Sequence, residues 1–271
     1  MQLRTLAVVM PAYNEGEGLP SFAREVLEAV RPLASTVHLV VVNDRSTDDT
    51  SAVLAALHDE LPEISVVDSA VNRGHGPTAL AAYRAGLELN PDAVLHLDGD
   101  GQFIGEDLPR VIRALEHADV IHGVRGGRTD PWFRRALTAC VGAAVALVVH
   151  ERIPDVNTPL RAYRTDALRR LVDAVAPDSL VPHVQFSIAE TRLGIRREYV
   201  RVRSIPRRGS AETGTMWGAA QRKPKLPPKR LIVFSARAAR EVWTHSIRRH
   251  PSNERLEKPQ DADTGPRASA S

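Results

Sequence analysis

The hydrophobic positions in the first half of the chain form short continuous runs, separated by stretches with helical spacing. The runs predict buried strands at residues 6–10, 38–42, 64–67, 93–97 and 120–124. The stretches between them predict helices at residues 19–30, 50–57, 78–89 and 106–117. Strands that alternate with helices of about 10 to 15 residues predict βαβ units. We therefore expect an α/β fold with a mainly parallel, Rossmann-like sheet flanked by helices.

The second half has a less regular pattern. Residues 133–149 predict a helix that is apolar nearly all round in its later part. Residues 167–175 and 184–193 predict two more helices, and residues 199–203 alternate like an edge strand. These elements extend the same domain, since no linker separates them from the first half.

After residue 215 the alternation of predicted strands and helices stops. The Pro- and Lys-rich stretch 221–230 cannot continue a helix, whereas residues 231–247 predict an amphipathic helix. Residues 251–271 carry too little apolar surface to fold, so we expect them to be disordered. The predicted organisation is a single folded domain over residues 1–215, a basic connector and helix over 216–250, and a tail.

Composition places the chain among soluble globular proteins. Of its 271 residues, 43% are hydrophobic and 25% are charged. The single cysteine, Cys140, excludes an intramolecular disulfide and fits a reducing cytoplasm. The N-terminus lacks the features of a signal peptide, and the longest apolar run, residues 136–149, is shorter than the ~20 residues of a spanning helix. We expect a cytoplasmic protein without a transmembrane segment.

The net charge of +3 hides an asymmetry along the chain. Residues 196–250 carry fifteen Lys and Arg against three acids, a net charge of +12, whereas residues 1–195 carry a net charge of −8. The basic third predicts contact with an anionic partner, such as nucleic acid, a phospholipid surface or a phosphorylated substrate. Few aromatic residues interleave with these charges, so we do not expect nucleic acid.

Polar clusters follow each of the first four predicted strands. They are PAYNE at residues 11–15, NDRSTDD at 43–49, NRGHG at 72–76 and DGDGQ at 98–102. Ligands of a doubly wound sheet bind in the crevice outside the carboxyl ends of the strands. We therefore expect the four clusters to converge on one site.

The fourth cluster holds two carboxylates separated by one glycine. If Asp98 and Asp100 continue the strand, their side chains point the same way, and they repel each other unless a cation lies between them. Hard oxygen ligands favour Mg²⁺ or Mn²⁺ shared with substrate phosphates. Gly99 and Gly101 allow a sharp turn, and Gln102 adds an amide. The alternative is a pair of acidic turn residues that cap a helix, and the three neighbouring clusters favour the metal.

The ordered set VVMPAYNE, VVNDRSTDDT, NRGHG and HLDGDGQF resembles the family 2 glycosyltransferases with a GT-A fold. Within that family it is most similar to the polyprenyl-phosphate glycosyltransferases of the dolichol-phosphate mannose synthase type. Later matches are IHGVRGG, DVNTPLRAYR and IPRRGS, so that the resemblance covers residues 5–215. It implies a catalytic domain over residues 1–215.

The resemblance implies a role for each matching residue. Those expected around the nucleotide sugar are Pro11, Ala12, Tyr13, Glu15, Asp44, Gly74, Asp98 and Gln102. Those expected to hold Mg²⁺ or Mn²⁺ are Asp98, Asp100 and Gln102. Those expected to be catalytic are Asp100, Arg125 and Arg207. Those expected to bind the acceptor are Asp155, Arg161 and Arg208.

Some positions depart from the family pattern or have a simpler interpretation. Asn43 and Arg45 stand where aspartate and glycine are usual, so the resemblance does not identify the base. Pro159-Leu160 replaces a common Gly-Phe, which affects acceptor geometry. Asp155 braces a loop in the alternative interpretation. His75 and His183 lack paired ligand spacing and are interpreted as ordinary polar residues.

The resemblance implies inverting, metal-dependent transfer from a nucleoside diphosphate sugar to a polyprenyl phosphate at an anionic membrane surface. GDP-mannose and UDP-glucose are the expected donors. A phosphate acceptor is already anionic and needs no strong base, and the acceptor region shows arginines without an obvious base. Segments 136–149 and 231–247 are candidates for the interface, on the inner face of the cell membrane, or else pack on the domain.

Two other hypotheses remain open. In one, a soluble family 2 glycosyltransferase acts on a hydroxyl of a glycan or small metabolite, with Asp155 or Glu190 as the base. In the other, a non-catalytic domain binds nucleotide sugars or an anionic partner. The intact Asp98 and Asp100 argue against the non-catalytic hypothesis.

Overall fold

The computed structural model describes residues 2–126, 132–209 and 229–244. Its sheet has seven strands in the order β3-β2-β1-β4-β6-β5-β7. The strands are β1 (Leu3–Ala12), β2 (Ala34–Asn43), β3 (Ile64–Asp68), β4 (Ala93–His96), β5 (Val120–Gly126), β6 (Arg161–Arg164) and β7 (Arg197–Arg203). Six of them run parallel, and β6 runs antiparallel to its neighbours β4 and β5. The predicted α/β class with a mainly parallel sheet is confirmed.

Eight α-helices accompany the sheet in the described part of the chain. They are α1 (Leu19–Val30), α2 (Thr50–Glu60), α3 (His75–Glu88), α4 (Leu108–Arg113), α5 (Trp132–Val149), α6 (Thr165–Asp173), α7 (Pro182–Arg192) and α8 (Lys229–Glu241). The helix expected over 106–117 is shorter, because single 3₁₀ turns flank α4 on both sides. Helix α1 has the predicted bounds, and the other predicted helices are present with shifted ends.

Strand β6 was not predicted. It is four residues long and both of its ends are arginines, so it lacks the apolar run that marks the other buried strands. Its inner residues face opposite sides of the sheet, with Ala162 in one hydrophobic cluster and Tyr163 in the other. The strand joins β4 to β5 and thereby completes one continuous sheet.

Alternation along β1 divides the core into two layers. Leu6, Val8 and Met10 pack with α1 on one face, while Ala7 and Val9 pack with α3 on the other. Both faces are buried from Leu6 onward, which explains why the strand is apolar at every position from Leu6 to Ala12. This arrangement holds the carboxyl ends of β1, β2 and β4 at one edge of the sheet.

A third, smaller cluster joins α5, α7 and the chain just after α8. Val145 and Val149 of α5 are buried there, and Val242 packs against them. The side chain of Leu147, in contrast, is 78% exposed. The segment 136–149 is therefore neither a fully buried core helix nor a free one.

The C-terminal predictions are only partly within the described chain. Helix α8 covers most of the predicted amphipathic segment, and residues 245–247 lie outside the described residues. The predicted connector is described only at 229–230, and the tail 251–271 also lies outside. Within the described residues, none of the helices combines the length and the hydropathy that a membrane span requires.

Candidate active site

A cavity of about 550 Å³ opens at the carboxyl edge of β1, β2 and β4. It draws its lining from all four polar clusters and from the segment after β7. The lining residues are Pro11, Ala12, Tyr13, Glu15, Asp44, Arg45, Thr47, Asn72, Gly74, His75, Thr78, Asp98, Gly99, Asp100 and Arg207. The expected convergence of the clusters is therefore present.

The first two clusters are joined by direct hydrogen bonds. The amide oxygen of Asn14 accepts a bond from the Thr47 backbone N–H at 2.8 Å, and the Glu15 N–H donates to Thr50 Oγ1 at 2.9 Å. Asn14 takes a left-handed backbone conformation, with φ 54°, which asparagine tolerates better than most residues. These bonds hold the PAYNE loop against the start of α2.

Asp44 organises the third cluster. Its two carboxylate oxygens accept backbone N–H bonds from Arg73 at 2.7 Å and from Gly74 at 2.8 Å. Gly74 has a φ of +83°, a conformation that strains residues with a side chain. Asp44 lines the cavity as expected, and its hydrogen bonds also hold the loop at residues 72–75, part of which lines the same cavity.

Asp98 and Asp100 both line the cavity, for a different reason from the one expected. Strand β4 ends at His96, so the two residues do not share a strand face but lie on a turn. The turn is held by the Gly99 N–H, which donates to the Pro11 carbonyl at 3.1 Å, and by Gly101, which has a φ of +65°. A turn thus brings together two carboxylates that strand alternation was expected to align.

The electrostatics of this pair suit a cation. Burial, and then the charge of Asp98, raise the pKa of Asp100 to about 6. Asp98 Oδ1 is buried without a hydrogen-bond partner in the described structure, and His75 Nε2 lies 3.6 Å from it. A bound Mg²⁺ or Mn²⁺ would satisfy that oxygen and relieve the repulsion. The two side chains therefore fit a divalent cation.

The rest of a metal coordination shell would have to come from elsewhere. Among the described residues, no group of three or more His, Cys, Asp or Glu is arranged to hold a metal. Gln102 does not line the cavity; its backbone N–H donates to Asp100 Oδ1 at 3.2 Å. Mg²⁺ commonly binds one or two carboxylates and takes its other ligands from substrate phosphates and water.

Arg207 closes one side of the cavity. Its guanidinium lies 2.7 Å from Glu15 Oε1 and donates to the Asn14 carbonyl at 3.0 Å. Burial raises the pKa of Glu15 to about 8, against the opposing effect of Arg207, and Asp100 adds to the rise. The Arg207 side chain is positioned to face the charge of a ligand in the cavity.

Arg125 and Asp155 do not line the cavity, and they form a two-point ion pair. Arg125 Nε donates to Asp155 Oδ2 at 2.8 Å, and its terminal nitrogen donates to Oδ1 at 3.0 Å. The pair connects the end of β5 to the loop before β6. This is the arrangement expected if Asp155 braces a loop.

Arg161 does not fit its expected contact with the acceptor. Its side chain is fully buried and donates to the carbonyls of Val156 at 2.8 Å, Thr158 at 3.1 Å and His183 at 3.0 Å. Glu190 lies 3.2 Å from it and is also fully buried. Arg161 supports the loop from inside, and neither side chain can touch an acceptor.

Arg208 is also engaged away from the cavity. One terminal nitrogen lies 2.6 Å from Glu25 Oε2, while Nε donates to the Gly101 carbonyl at 3.1 Å. The guanidinium also lies 5.2 Å from the centre of the Phe22 ring. Arg208 does not line the cavity, and it ties the last described residues of the domain to the Asp100 turn.

The sequence analysis did not assign to the site one titratable side chain that lines the cavity, the imidazole of His75. His75, interpreted as an ordinary polar residue, is the first residue of α3 and lies beside Asp98. Its position directly after Gly74 in the third cluster was the available signal. His183, in contrast, is buried against Tyr83, with 2.9 Å between its Nε2 and the tyrosine hydroxyl.

Comparisons with known proteins agree on the family. The family model of glycosyl transferase family 2 matches residues 7–172. An undecaprenyl-phosphate 4-deoxy-4-formamido-L-arabinose transferase from Sodalis glossinidius is 33% identical over 177 residues, covering 65% of this chain and 52% of that protein. A protein of the same name from Pseudomonas fluorescens is 31% identical over 191 residues, covering 69% and 55%. The chain spans about half the length of the curated relatives it matches.

The fold is also similar to that of solved structures. A crystal structure of glucosyl-3-phosphoglycerate synthase from Mycobacterium tuberculosis, in complex with Mn²⁺, uridine diphosphate and phosphoglyceric acid, has a TM-score of 0.65. It is 18% identical, and the match covers 90% of this chain and 79% of the other. At that identity the likeness shows the fold alone, and it confirms the expected GT-A class.

Proposed function

The chain belongs to glycosyl transferase family 2, and from this we propose that it transfers a sugar from a nucleoside diphosphate sugar to a polyprenyl phosphate. The family membership supports glycosyl transfer as the reaction. The curated relatives are undecaprenyl-phosphate sugar transferases by name, which supports the acceptor class. UDP-glucose and GDP-mannose are the two donors to test first.

One observation carries the proposal. The cavity holds two acidic side chains, Asp98 and Asp100, and one buried carboxylate oxygen among them has no hydrogen-bond partner in the described structure. Unpartnered buried oxygens are costly, and a divalent cation shared with a diphosphate would remove that cost. A site that only bound a neutral sugar would not need this arrangement.

The chemical step is a displacement at the anomeric carbon of the donor sugar. An oxygen of the acceptor phosphate forms a bond to that carbon while the bond to the donor diphosphate breaks. The electron pair of the broken bond leaves with the nucleoside diphosphate, and the configuration inverts. The acceptor oxygen is anionic at neutral pH, so the step needs no proton transfer to a base.

The residues of the cavity stabilise the leaving diphosphate. A cation held by Asp98 and Asp100 would supply Lewis-acid stabilisation of the developing charge. Arg207 adds a fixed positive charge, since its guanidinium already lies at the cavity wall beside Glu15. Arg125, oriented by Asp155, is the candidate for the acceptor phosphate.

The acceptor lies in a membrane, so the protein must reach a lipid surface. Helices α5 and α8 carry four of the large hydrophobic side chains that are exposed: Trp132, Leu147, Ile232 and Val233. A fifth, Trp243, lies two residues after the end of α8. Four basic residues of α8 accompany them: Lys229, Arg230, Arg237 and Arg240. An apolar surface rimmed by positive charge suits peripheral attachment to an anionic leaflet.

We test the proposal with Asp100→Asn. Transfer of radiolabelled sugar from UDP-glucose or GDP-mannose to undecaprenyl phosphate in Mn²⁺ should fall by at least about a hundredfold, because charge stabilisation of the leaving group is lost. Asp59→Asn, at an exposed position of α2, is the matched control and should keep the wild-type rate.

The outcomes separate the parts of the proposal. Wild-type transfer only to a glycan hydroxyl would overturn the acceptor class. Undiminished transfer by Asp100→Asn would overturn the assignment of the site. No transfer from any sugar nucleotide would contradict the proposed activity as a whole.

A further inference from the structure

The single acidic residue of helix α8, Glu241, is hydrogen-bonded to the domain. Glu241 Oε1 accepts hydrogen bonds from Ser179 Oγ at 2.6 Å and from Gln185 Nε2 at 2.5 Å. The backbone N–H of Leu180 donates to both carboxylate oxygens, at 2.9 and 3.1 Å. One carboxylate thus holds the loop before α7 from a position about sixty residues later in the chain.

This loop presses on the first turn of α3. A Cβ atom added to Gly76 would lie 2.2 Å from the Ser179 carbonyl oxygen and 2.6 Å from that of Leu180. Only glycine leaves room for this approach, since both clashing atoms belong to the backbone. Ser179 is itself buried, at 1% exposure, so the loop has little freedom to move aside.

The first turn of α3 is part of the cavity wall. Gly74, His75 and Thr78 line the cavity on either side of Gly76. The Gly74 carbonyl accepts a bond from Thr78 Oγ1 at 2.8 Å, which makes the turn a single unit. Glu241 is therefore linked to the cavity wall by two successive contacts, although it does not itself reach the cavity.

We propose that Glu241 is a positioning residue for the nucleotide-sugar site, because it holds the 179–180 loop against Gly76 and so fixes the wall formed by Gly74 and His75. The inference rests on the function proposed above. It assigns a role in donor binding to a helix that lies outside the family match at residues 7–172. Coupling of this kind is reciprocal, so a bound donor also stabilises the attachment of α8.

The chemistry of the contact explains why a carboxylate is needed. Three donors point at Glu241, and charge-assisted bonds are roughly twice as strong as neutral ones. An amide at this position has one acceptor oxygen, and its own NH₂ group would face the donors of the loop. Glu241→Gln keeps the size of the side chain and removes the second acceptor.

Two variants break the two successive contacts one at a time. Glu241→Gln loosens the loop, and Gly76→Ala pushes it away from α3. For each, hydrogen–deuterium exchange of residues 74–80 without ligand should rise by about tenfold, as expected for the loss of one charge-assisted bond. Glu28→Gln, exposed on α1, and Gly142→Ala, where an added Cβ meets nothing within 4 Å, are the controls.

Donor binding supplies the second measurement. Titration with UDP-glucose and with GDP-mannose, each in Mn²⁺, should show affinity reduced by about tenfold in both variants, and KM for the donor should rise while kcat stays close to wild type. The control variants should match wild type in exchange, affinity and KM.

The outcomes distinguish this inference from the proposed function. If the wild type binds a donor and both variants bind it equally well with unchanged exchange at 74–80, the positioning role is overturned. If Glu241→Gln fails to fold, Ser179→Ala, which removes one of the three donors to Glu241, decides by the same two measurements. If the wild type binds neither donor, the proposed donor class fails, and this inference with it.

Discussion

Some side chains of this protein line the cavity, and others support it from buried positions behind its lining. Asp98 and Asp100 face the cavity directly, whereas Arg161 supports the region from a fully buried position. Residue type alone does not separate these roles, because an arginine in a polar motif is equally suited to bind a phosphate or to brace a loop. The difference depends on burial, which follows from the pairing of β6 between two other strands.

Arg161 gives a residue-scale prediction. Arg161→Met removes one of the charged partners of the buried Glu190 and the side-chain donor to the Thr158 carbonyl, so we expect a loss of about 3–5 kcal/mol in the free energy of unfolding. Urea denaturation measures it. Arg113→Met, at an exposed position of α4, should unfold close to wild type. Equal stability of both variants would contradict the bracing role.

Motif-level prediction placed the two carboxylates of one turn in the cavity, whereas the cation that they would hold stays a prediction. The DGDGQ stretch was expected to hold a cation from its residue types and its place after a strand, and the carboxylates do face the cavity. The reason offered, strand alternation, applied only if the strand continued through Asp100, and β4 ends at His96. His75 was missed because its neighbour Asp98 is distant in the chain.

At the scale of elements, periodicity identified nearly every helix and strand of the described chain. The exception, β6, is short and charged at both ends, so local pattern does not distinguish it from a loop. Its strand character comes from the ladders it makes with β4 and β5. The position of Asp155 and Arg161 relative to the site depends on this one strand.

Helix α5 and the segment that begins with α8 and ends at residue 244 give an element-scale prediction. Leu147→Asn combined with Trp243→Ser removes two side chains that are 78% and 62% exposed, so sedimentation with vesicles containing anionic phospholipid should fall by about tenfold. Val67→Asn with Leu89→Asn, which are exposed elsewhere, is the matched control. Equal sedimentation of the two double variants would contradict a membrane-facing role for these helices.

At the scale of the whole molecule, the domain buries several ionisable groups. His183 is fully buried against Tyr83 and Phe186, and burial lowers its pKa well below 6.5. It is therefore neutral in the folded state, whereas in the unfolded chain it takes up a proton below about pH 6.5. The unfolded state binds more protons in that range, so stability is lost as the pH falls.

This sign gives a prediction for the pH dependence of folding. Between pH 7 and pH 5, the free energy of unfolding should fall more steeply for wild type than for His183→Gln, by at most about 1.4 kcal/mol per pH unit. Glu15, whose pKa is raised, acts in the opposite direction in both proteins, so the difference isolates the histidine. His117→Gln, at an exposed position, should keep the wild-type slope in urea titrations. Parallel curves for wild type and His183→Gln would refute the prediction.

The sequence by itself determined the order of helices and strands, the mainly parallel sheet and the gathering of polar clusters at its carboxyl edge. Those features follow from side-chain periodicity and turn chemistry, which operate within a few residues of the chain. Only the tertiary structure decided the reversed strand β6, the buried role of Arg161, the pairing of Glu15 with Arg207, and the attachment of Glu241 to the 179–180 loop. Each of these depends on groups that are brought together from distant parts of the chain, and burial and partner geometry at such contacts arise only when the layers pack.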